Sequence, residues 1–354
     1  MQSLKEEFLR ALRFTPEQMG VLKLLGEYQG RQLLFARQTP ETLESLRHIA
    51  LIESSESSTR IEGNNTPRER VKALVHENAQ PKNRSEQEVA GYRDVLSLIH
   101  TEGTYMPFAV DTILEMHRRL FSFTAEKGGS YKTVNNEIRE LNPDGTLLRV
   151  RFRAVPAAET PAAMEDLVSS YSRALGVWNF DPLIVIPLTI LDFLCIHPFR
   201  DGNGRVARLL TLLLLYHCDY NVGRYVSLER VTEQAKTEYY NALKESSDFW
   251  HEGKHNPYPW LDYFWGMLLK AYHELEEGVR DRGTGRGVKS EAVRAAVLKR
   301  FLPFTLAEIQ EECPLVSRDM VRLVLRQMKD EGLIRPEGHG RGAKWVLNRT
   351  VVAG

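Results

Sequence analysis

The stretch His197-Pro198-Phe199-Arg200-Asp201-Gly202-Asn203-Gly204-Arg205 joins two strongly apolar segments, Leu183 to Ile196 and Val206 to Tyr216. Segments of this length that are apolar on all sides are typical of helices buried in a core. A turn with alternating glycines before a helix directs several backbone N–H groups to one point, where the helix dipole adds positive potential. The stretch therefore predicts a mainly helical fold built around a phosphate-binding turn.

The side chains of this turn suit a polyphosphate. Gly202 and Gly204 allow the backbone to approach a ligand closely, and the Asn203 amide can donate a hydrogen bond. Arg205 and Arg208 lie near enough in sequence to hold further phosphate oxygens through paired hydrogen bonds. We therefore predict that these five residues bind the phosphates of a nucleotide.

Two further residues indicate the chemistry. A phosphate would repel Asp201 unless a divalent cation bridged the two, and Mg²⁺ prefers one or two carboxylates together with substrate phosphates. His197 is the only group of the turn that exchanges a proton near neutral pH, which makes it the candidate general base. By taking the proton of an incoming hydroxyl, it would assist phosphate-group transfer with release of pyrophosphate or phosphate.

The composition is that of an ordinary globular protein. The chain has 354 residues, of which 42% are hydrophobic and 27% charged, and this length predicts two or three compact units. Lys+Arg and Asp+Glu are equal at 47 each, so the net charge points to no partner. The cysteines Cys195, Cys218 and Cys313 are odd in number and far apart, from which we expect a reducing, cytoplasmic setting.

We expect neither export nor membrane insertion. The apolar stretch Pro182 to Phe199 contains Pro187 and Asp192 and is too short to cross a bilayer as a helix. The first residues, Met1 to Glu7, carry charges where a secretory signal needs an uninterrupted apolar run.

Apolar periodicity predicts helices along most of the chain and one β-hairpin. The hairpin is expected from Tyr131 to Val134 and Leu147 to Phe152, on either side of the turn Asn142-Pro143-Asp144-Gly145. The helices are predicted over residues 15–77 (several), 86–100, 113–123, 161–178, 183–196 and 206–216.

Polar and glycine-rich stretches suggest the domain boundaries. We expect an N-terminal helical region over residues 1–85, a catalytic core over 86–279, a linker over 280–287 and a small domain over 288–354. Within the last domain, helices are predicted for 291–301, from Thr305 onward, and for 317–332, followed by strands at 333–335 and 344–347. This order resembles a winged helix-turn-helix.

The third helix of that domain has a basic face. Arg318, Arg322 and Arg326 recur every fourth residue, and residues 285–354 contain 13 Lys or Arg against 8 Asp or Glu. Such a face is expected on a recognition helix for DNA. The solvated face of a protein-interaction module has the same pattern, so both partners stay open here.

The complete turn resembles the Fic (filamentation induced by cAMP) family, whose motif is His-x-Phe-x-Asp/Glu-Gly-Asn-Gly-Arg-x-x-Arg. His197, Phe199, Asp201, the run Gly202 to Arg205, and Arg208 fill every fixed position. The resemblance implies a Fic-fold helical domain in which His197 is the base, Asp201 binds Mg²⁺ and Gly202 to Arg205 hold the phosphates of ATP. It also implies AMP transfer to a Ser, Thr or Tyr hydroxyl of a target protein, with self-modification as one outcome.

Two other segments extend the resemblance. The hairpin, with Gly129-Ser130-Tyr131-Lys132 before it, is similar to the family's flap, which aligns the target segment by strand addition. Glu238 to Leu243 is similar to the family segment near the adenine and ribose, which implies a nucleotide contact for Tyr240.

Upstream, Ser58 and Glu62 share one helical face, and Gly63 is suited to ending the helix. Beside a Fic loop, this pattern is similar to the family's inhibitory motif. The resemblance implies the class with an N-terminal inhibitory helix, in which Glu62 pairs with Arg208 and denies it to the γ-phosphate of ATP.

Other functions stay open at this point. Some relatives use the same glutamate to activate water and remove AMP, and others transfer a different phosphate-containing group. A DNA-binding regulator with a degenerate loop is a third alternative, against which the intact loop argues. The resemblance also implies a homodimer.

Overall fold

A computed structural model describes residues 1–38, 40–77, 79–141, 146–283, 288–298, 300, 303–313, 316–337 and 344–348. The chain forms two compact units. The first contains residues 1–32 and 45–275, and the second contains 33–44 and 276–354. In the part of the chain that the structure describes, no helix combines the length and apolar character needed to cross a membrane.

The N-terminal part is helical, as the periodicity predicted. Its helices are α1 (Glu6–Ala11), α2 (Pro16–Gln38), α3 (Pro40–Ile61) and α4 (Arg68–His76). Helix α3 is followed by Gly63, whose φ of 93° lies in the left-handed region that glycine adopts without steric cost.

The core of the first unit is formed by long helices. They are α5 (Arg84–Glu102), α6 (Val110–Leu120), α7 (Thr160–Gly176), α8 (Pro182–Ile196) and α9 (Asn203–His217). Helices α8 and α9 are buried along almost their whole length and pack against each other, as their all-round apolar sequence predicted. The loop from His197 to Gly202 therefore connects two central helices.

Three further helices complete this unit: α10 (Leu228–Gln234), α11 (Lys236–Ser247) and α12 (Tyr258–Gly283). Helix α12 supports a weak point of α8. Pro187 has no N–H to donate to the carbonyl of Leu183, and the indole N–H of Trp265 donates to that carbonyl instead, at 2.7 Å. The proline is thus accommodated within a continuous helix.

The hairpin is present, but its first strand was predicted in the wrong place. Strands β1 (Glu137–Leu141) and β2 (Leu147–Arg153) pair antiparallel, with Ile138 opposite Phe152. The predicted strand Tyr131 to Val134 lies too far from the turn for that pairing, and Lys132 bonds to the carbonyl of Pro198 instead. The predicted turn, residues 142–145, lies outside the described residues.

The predicted division at residue 85 does not separate two compact units. Arg70 forms an ion pair with Glu86 at 2.6 Å, and Val71 and Leu74 share a hydrophobic cluster with Val89. These contacts join α4 to α5 across the polar stretch.

The predicted linker also begins too early. Helix α12 continues through Gly283, because arginine, at positions 280 and 282, is a good helix former. Residues 284–287 lie outside the described part of the chain.

The described part of the second unit contains α13 (Val288–Leu298), α14 (Leu306–Glu312), α15 (Arg318–Asp330), β3 (Ile334–Glu337) and β4 (Lys344–Leu347). Thr305 and Glu308 form a capping box at the start of α14, and Ser317 caps α15. The two strands pair antiparallel, with Ile334 opposite Leu347. The order of helices and strands agrees with the sequence prediction.

Candidate active site

The loop between α8 and α9 leaves backbone donors free at the start of α9. His197 follows α8 with a left-handed backbone (φ 50°), and Gly202 precedes α9 with φ 82°. The N–H of Val206 donates to the carbonyl of Gly202 at 2.9 Å. The N–H groups of Asn203, Gly204 and Arg205 come before this first helical bond and have no acceptor within the helix. Together they can bind an anion.

The carbonyl groups of the same loop are held by side chains from other elements. The ammonium of Lys132 donates to the carbonyls of Ile196 and His197, each at 2.9 Å. The side-chain amide of Asn136 donates to the carbonyl of Phe199 at 2.8 Å. These bonds hold the loop in place and occupy these three carbonyl oxygens. The oxygens therefore do not repel an anion bound by the N–H groups at the start of α9.

Asn203 takes a different part from the predicted one. Its side chain is buried, and its oxygen accepts from the N–H of Phe199 at 2.9 Å while its NH₂ donates to the carbonyl of Phe199 at 2.8 Å. A side-chain amide carries an acceptor oxygen and a donor NH₂ and so can bond both the N–H and the carbonyl of one residue. The amide of Asn203 therefore closes the loop, and only its backbone N–H remains for phosphate.

His117, which the sequence analysis did not single out, supports the loop from behind. Its ring stacks on Phe199, with centroids 3.7 Å apart. Its Nδ1 accepts from the N–H of Gly129 at 2.9 Å, so the proton is on Nε2, which donates to the carbonyl of Asp201 at 3.1 Å. Burial lowers the pKa of His117 to about 4, which keeps the ring neutral at pH 7.

His197 has the opposite tautomer. Its Nδ1 lies 3.3 Å from the carbonyl of Leu194, and donation to that oxygen leaves Nε2 without a proton. Burial, together with the charge of Lys132, lowers the pKa of His197 to about 4, against the opposing effects of the Leu194 carbonyl and of Glu62 and Asp201. At neutral pH the ring is therefore an unprotonated base.

His197 lines a cleft of about 550 Å³, a volume suited to a nucleotide. Helix α11 contributes Tyr240, whose side chain is 42% exposed. The hairpin contributes Ile138 and Phe152. Other residues lining the cleft are Glu62, Leu191, Leu194, Cys195, Gly204, Arg208, Tyr239, Asn241 and Lys244.

Arg208 connects this cleft to helix α3. Its Nη2 donates to Glu62 Oε1 and to the carbonyl of Ser58, each at 2.8 Å, and its Nε donates to Ser58 Oγ at 2.9 Å. The guanidinium is only 7% exposed, whereas the carboxylate of Glu62 is 35% exposed. The pairing of Glu62 with Arg208 implied by the resemblance is present.

The carboxylate of Glu62 also lies against the start of α9. A Cβ atom on Gly204 would overlap Glu62 Oε1, so only glycine allows this approach. A negative charge at this position is stabilised by the free N–H groups and the dipole of α9. Glu62 therefore occupies the place where an anionic ligand would be bound.

The side chains of Arg205 and Asp201 do not line this cleft. Arg205 is 3% exposed, lies over the ring of Phe121, and donates to Asp201 Oδ2 at 3.1 Å. Its Nε and Nη1 have no hydrogen-bond partner among the described residues. Arg205 is not among the residues that line the cleft, and Asp201 borders a second cavity of about 450 Å³ together with His117 and Arg200.

The carboxylate of Asp201 is compatible with a magnesium ion that arrives with phosphates. It is 52% exposed, and each oxygen accepts one hydrogen bond, from Gly202 N–H at 2.6 Å and from Arg205. Each therefore keeps a lone pair. Among the described residues, no group of three or more His, Cys, Asp or Glu could hold a metal by itself. One carboxylate completed by substrate oxygens is an arrangement that Mg²⁺ accepts.

Comparison with known proteins agrees with this site. The model of the Fic/DOC family matches residues 107–215, which include the whole loop from His197 to Arg208. A Fido domain-containing protein of Dictyostelium discoideum is 25% identical over 112 residues, 32% of this chain and 71% of that protein. A ribonucleoside-diphosphate reductase small chain of Ostreid herpesvirus 1 is 28% identical over 133 residues, 36% of this chain but only 22% of that protein.

Solved structures show the same fold. A Fic family protein from Desulfovibrio desulfuricans G20 aligns with a TM-score of 0.63 at 21% identity, over 95% of this chain and 97% of that one. A Fic domain-containing signaling protein from Bacteroides thetaiotaomicron gives 0.59 at 23% identity, over 74% and 97%. Fic-1 from C. elegans gives 0.56 at 19% identity, over 73% and 72%. The chain contains a Fic/DOC family domain, a type that typically transfers AMP or other groups onto proteins.

Proposed function

We propose that this protein transfers AMP from ATP to a hydroxyl of a target protein and that Glu62 restrains this activity. The observation that carries the proposal is the position of three groups in one cleft. The neutral base His197, Gly204 at the start of α9 and the Glu62–Arg208 pair all line the same space. A polyphosphate bound there would compete with Glu62 for both Arg208 and the helix N-terminus.

The nucleotide would be held mainly by the backbone. The N–H groups of Asn203, Gly204 and Arg205 would bind phosphate oxygens, and the half-exposed phenol ring of Tyr240 offers a surface for the nucleoside. Asp201 would hold Mg²⁺, which neutralises charge on the phosphates when it is bound. Arg205, which holds Asp201, would act by positioning that carboxylate.

In the reaction, the hydroxyl oxygen of the target forms a bond to the α-phosphorus, and the bond from that phosphorus to the bridging oxygen of pyrophosphate breaks. Nε2 of His197 takes the hydroxyl proton, and pyrophosphate leaves. Because Nδ1 of His197 is bonded to the carbonyl of Leu194, the ring is oriented before the substrate arrives. The low pKa of His197 keeps it ready to accept the proton.

The target segment would be aligned by the hairpin. Among the described residues, β1 pairs only with β2 in the sheet. Ile138 on β1 lines the same cleft as His197. An extended segment of the target could add to β1 as a third strand.

Glu62 would act as a brake. With Glu62 at the start of α9, Nε and Nη2 of Arg208 are engaged by Ser58 and Glu62, and the carboxylate competes with a γ-phosphate for the guanidinium. Removal of the carboxylate takes away one acceptor of Arg208 Nη2, whose bond to Ser58 remains, and clears the start of α9 for an anion. Resting activity of the intact chain is therefore low.

The same carboxylate supports a second activity, removal of AMP from a modified protein. Glu62 is 35% exposed and lines the cleft beside His197, so it could take a proton from an attacking water.

The test compares wild type with Glu62→Ala and His197→Ala, each incubated with α-labelled or γ-labelled ATP. We expect Glu62→Ala to incorporate α-label into itself roughly 5- to 150-fold faster than wild type, the range typical of coupling between sites. His197→Ala should incorporate none. The matched control is Glu69→Ala, which removes a carboxylate that is 82% exposed on α4 and should behave as wild type.

If label reaches the protein only from γ-labelled ATP, the reaction is phosphorylation and the proposal of AMP transfer is wrong. Equal rates for wild type and Glu62→Ala would remove the brake from the proposal but leave the transfer reaction. Faster loss of AMP from a modified target in wild type than in Glu62→Ala would support the second activity.

A further inference from the structure

The outer face of α15 carries a continuous row of positive charge. Arg318, Arg322, Arg326 and Lys329, here called the basic stripe, are all exposed. At about 100° per residue they fall within roughly 80° of one another around the helix. The apolar residues Val321, Val324, Leu325 and Met328, centred about 110° away around the helix, are buried in the core of the second unit.

The charge of the stripe is not cancelled by neighbours. Arg318, Arg326 and Lys329 form no ion pair within the described residues, and Arg322 bonds only to Asp319 at 3.2 Å. That carboxylate is 90% exposed, and ion pairs in water are worth little, so Arg322 can change partner.

Several acidic groups of the same unit already have partners. Glu331 pairs with Arg294, Glu312 pairs with Arg300, and Glu308 closes the capping box with Thr305. These three carboxylates are engaged elsewhere, and the acidic side chains beside the stripe on α15 itself are those of Asp319 and Asp330.

The local order of elements presents this face for docking. Helix α14 precedes α15 with a short connection, and both pack on a cluster that includes Val293, Phe304 and Ile309. The pair β3 and β4 follows, with Arg335 and Lys344 exposed. An α-helix with its side chains is about 10–12 Å in diameter, which fits the width of about 12 Å of the DNA major groove.

We propose that the second unit binds duplex DNA, with α15 in the major groove and the β3–β4 pair beside it. Leu323, 49% exposed next to the stripe, could contact a thymine methyl group. A row of exposed cations complements the phosphate backbone of a nucleic acid, which carries one negative charge per about 1.7 Å of duplex. The deep, narrow major groove of RNA duplexes would not admit the helix. This function is independent of AMP transfer.

The test measures binding of the full-length protein to a fluorescent random-sequence DNA duplex by anisotropy, over a range of salt concentrations. We expect binding whose dependence on salt has a slope of about −3 to −4, since four cations each release about one counterion. The variant Arg318→Ala/Arg322→Ala/Arg326→Ala should bind at least about tenfold more weakly, with a slope reduced by about three.

Lys23→Ala is the matched control, since it removes an 80% exposed cation from α2 in the first unit and should bind DNA as wild type does. The triple variant should unfold at the wild-type temperature and transfer AMP at the wild-type rate, because no substituted residue is buried. Equal DNA affinity of wild type and triple variant would overturn the proposal, as would absence of binding at low salt. Equal competition by an RNA duplex would exclude reading of the major groove.

Discussion

Helices α9 and α15 both carry arginines on one face, yet they use them in opposite ways. Arg205 and Arg208 on α9 are 3% and 7% exposed, and each is bonded to a carboxylate. Arg318 and Arg326 on α15 are exposed and have no ion pair among the described residues. A buried guanidinium must have defined partners, so exchange of one partner for another can act as a switch. An exposed one attracts any phosphate, and its contribution adds to that of its neighbours.

The largest expected difference between the arginines of α9 and those of α15 is in the rate of AMP transfer. In the Glu62→Ala background, Arg208→Ala should reduce AMP transfer roughly 100- to 1,000-fold, the usual cost of losing one donor to a developing charge. Arg326→Ala in the same background should stay within about twofold of its parent. Rates with α-labelled ATP test this, and similar losses for both variants would erase the distinction between the helices.

Stability should give a smaller difference. Arg208→Ala leaves Ser58 buried without its donor and Glu62 without its cation, which should lower the free energy of unfolding by about 2 kcal/mol. The value is below that of a fully buried pair because the carboxylate is 35% exposed. Arg326→Ala should change stability by less than about 0.5 kcal/mol. Urea unfolding of the two variants measures both values, and a neutral Arg208→Ala would show that the pair serves regulation alone.

The smallest expected effect is that of pH between 8 and 6. Because the pKa of His197 is about 4, the base is unprotonated throughout this range, and transfer by Glu62→Ala should vary less than about twofold. DNA binding should also stay constant, since arginine does not titrate there. Initial rates over this interval decide the point, and a transition near 6.5 would mean that His197 has its ordinary pKa in solution.

As the pH decreases below about 6.5, the free energy of unfolding should decrease. The pKa values of His117 and His197 are about 4 in the folded protein, and unfolded histidine titrates near 6.5. The unfolded state therefore takes up protons that the folded state refuses, as pH decreases from about 6.5 towards 4.

Local sequence was enough to predict much of this molecule. The helical periodicity located α5, α7, α8 and α9, and the resemblance to the family's inhibitory motif implied the contact between Glu62 and Arg208. These features depend on residues a few positions apart or on a motif with fixed geometry. The order of elements in the second unit was predictable for the same reason.

Features that depend on distant parts of the chain were missed. Nothing in the sequence around Lys132, Asn136 or His117 indicates that these side chains hold carbonyls of a loop more than sixty residues away. The same contact with the loop explains why the segment near Lys132 is not a strand. The sequence analysis predicted that the side chain of Asn203 binds the ligand. Its bonds to the backbone of Phe199 depend on the folded shape of the loop, which the sequence alone does not give.

The donors at the start of α9 belong to the main chain, and this has a consequence for how the protein can change over evolutionary time. No substitution except proline removes a backbone N–H. Mutations in the lining of the cleft can therefore alter which nucleotide or which target is accepted, while the affinity for a phosphate group persists. Lineages of such a chain would be expected to exchange substrates more readily than they lose anion binding.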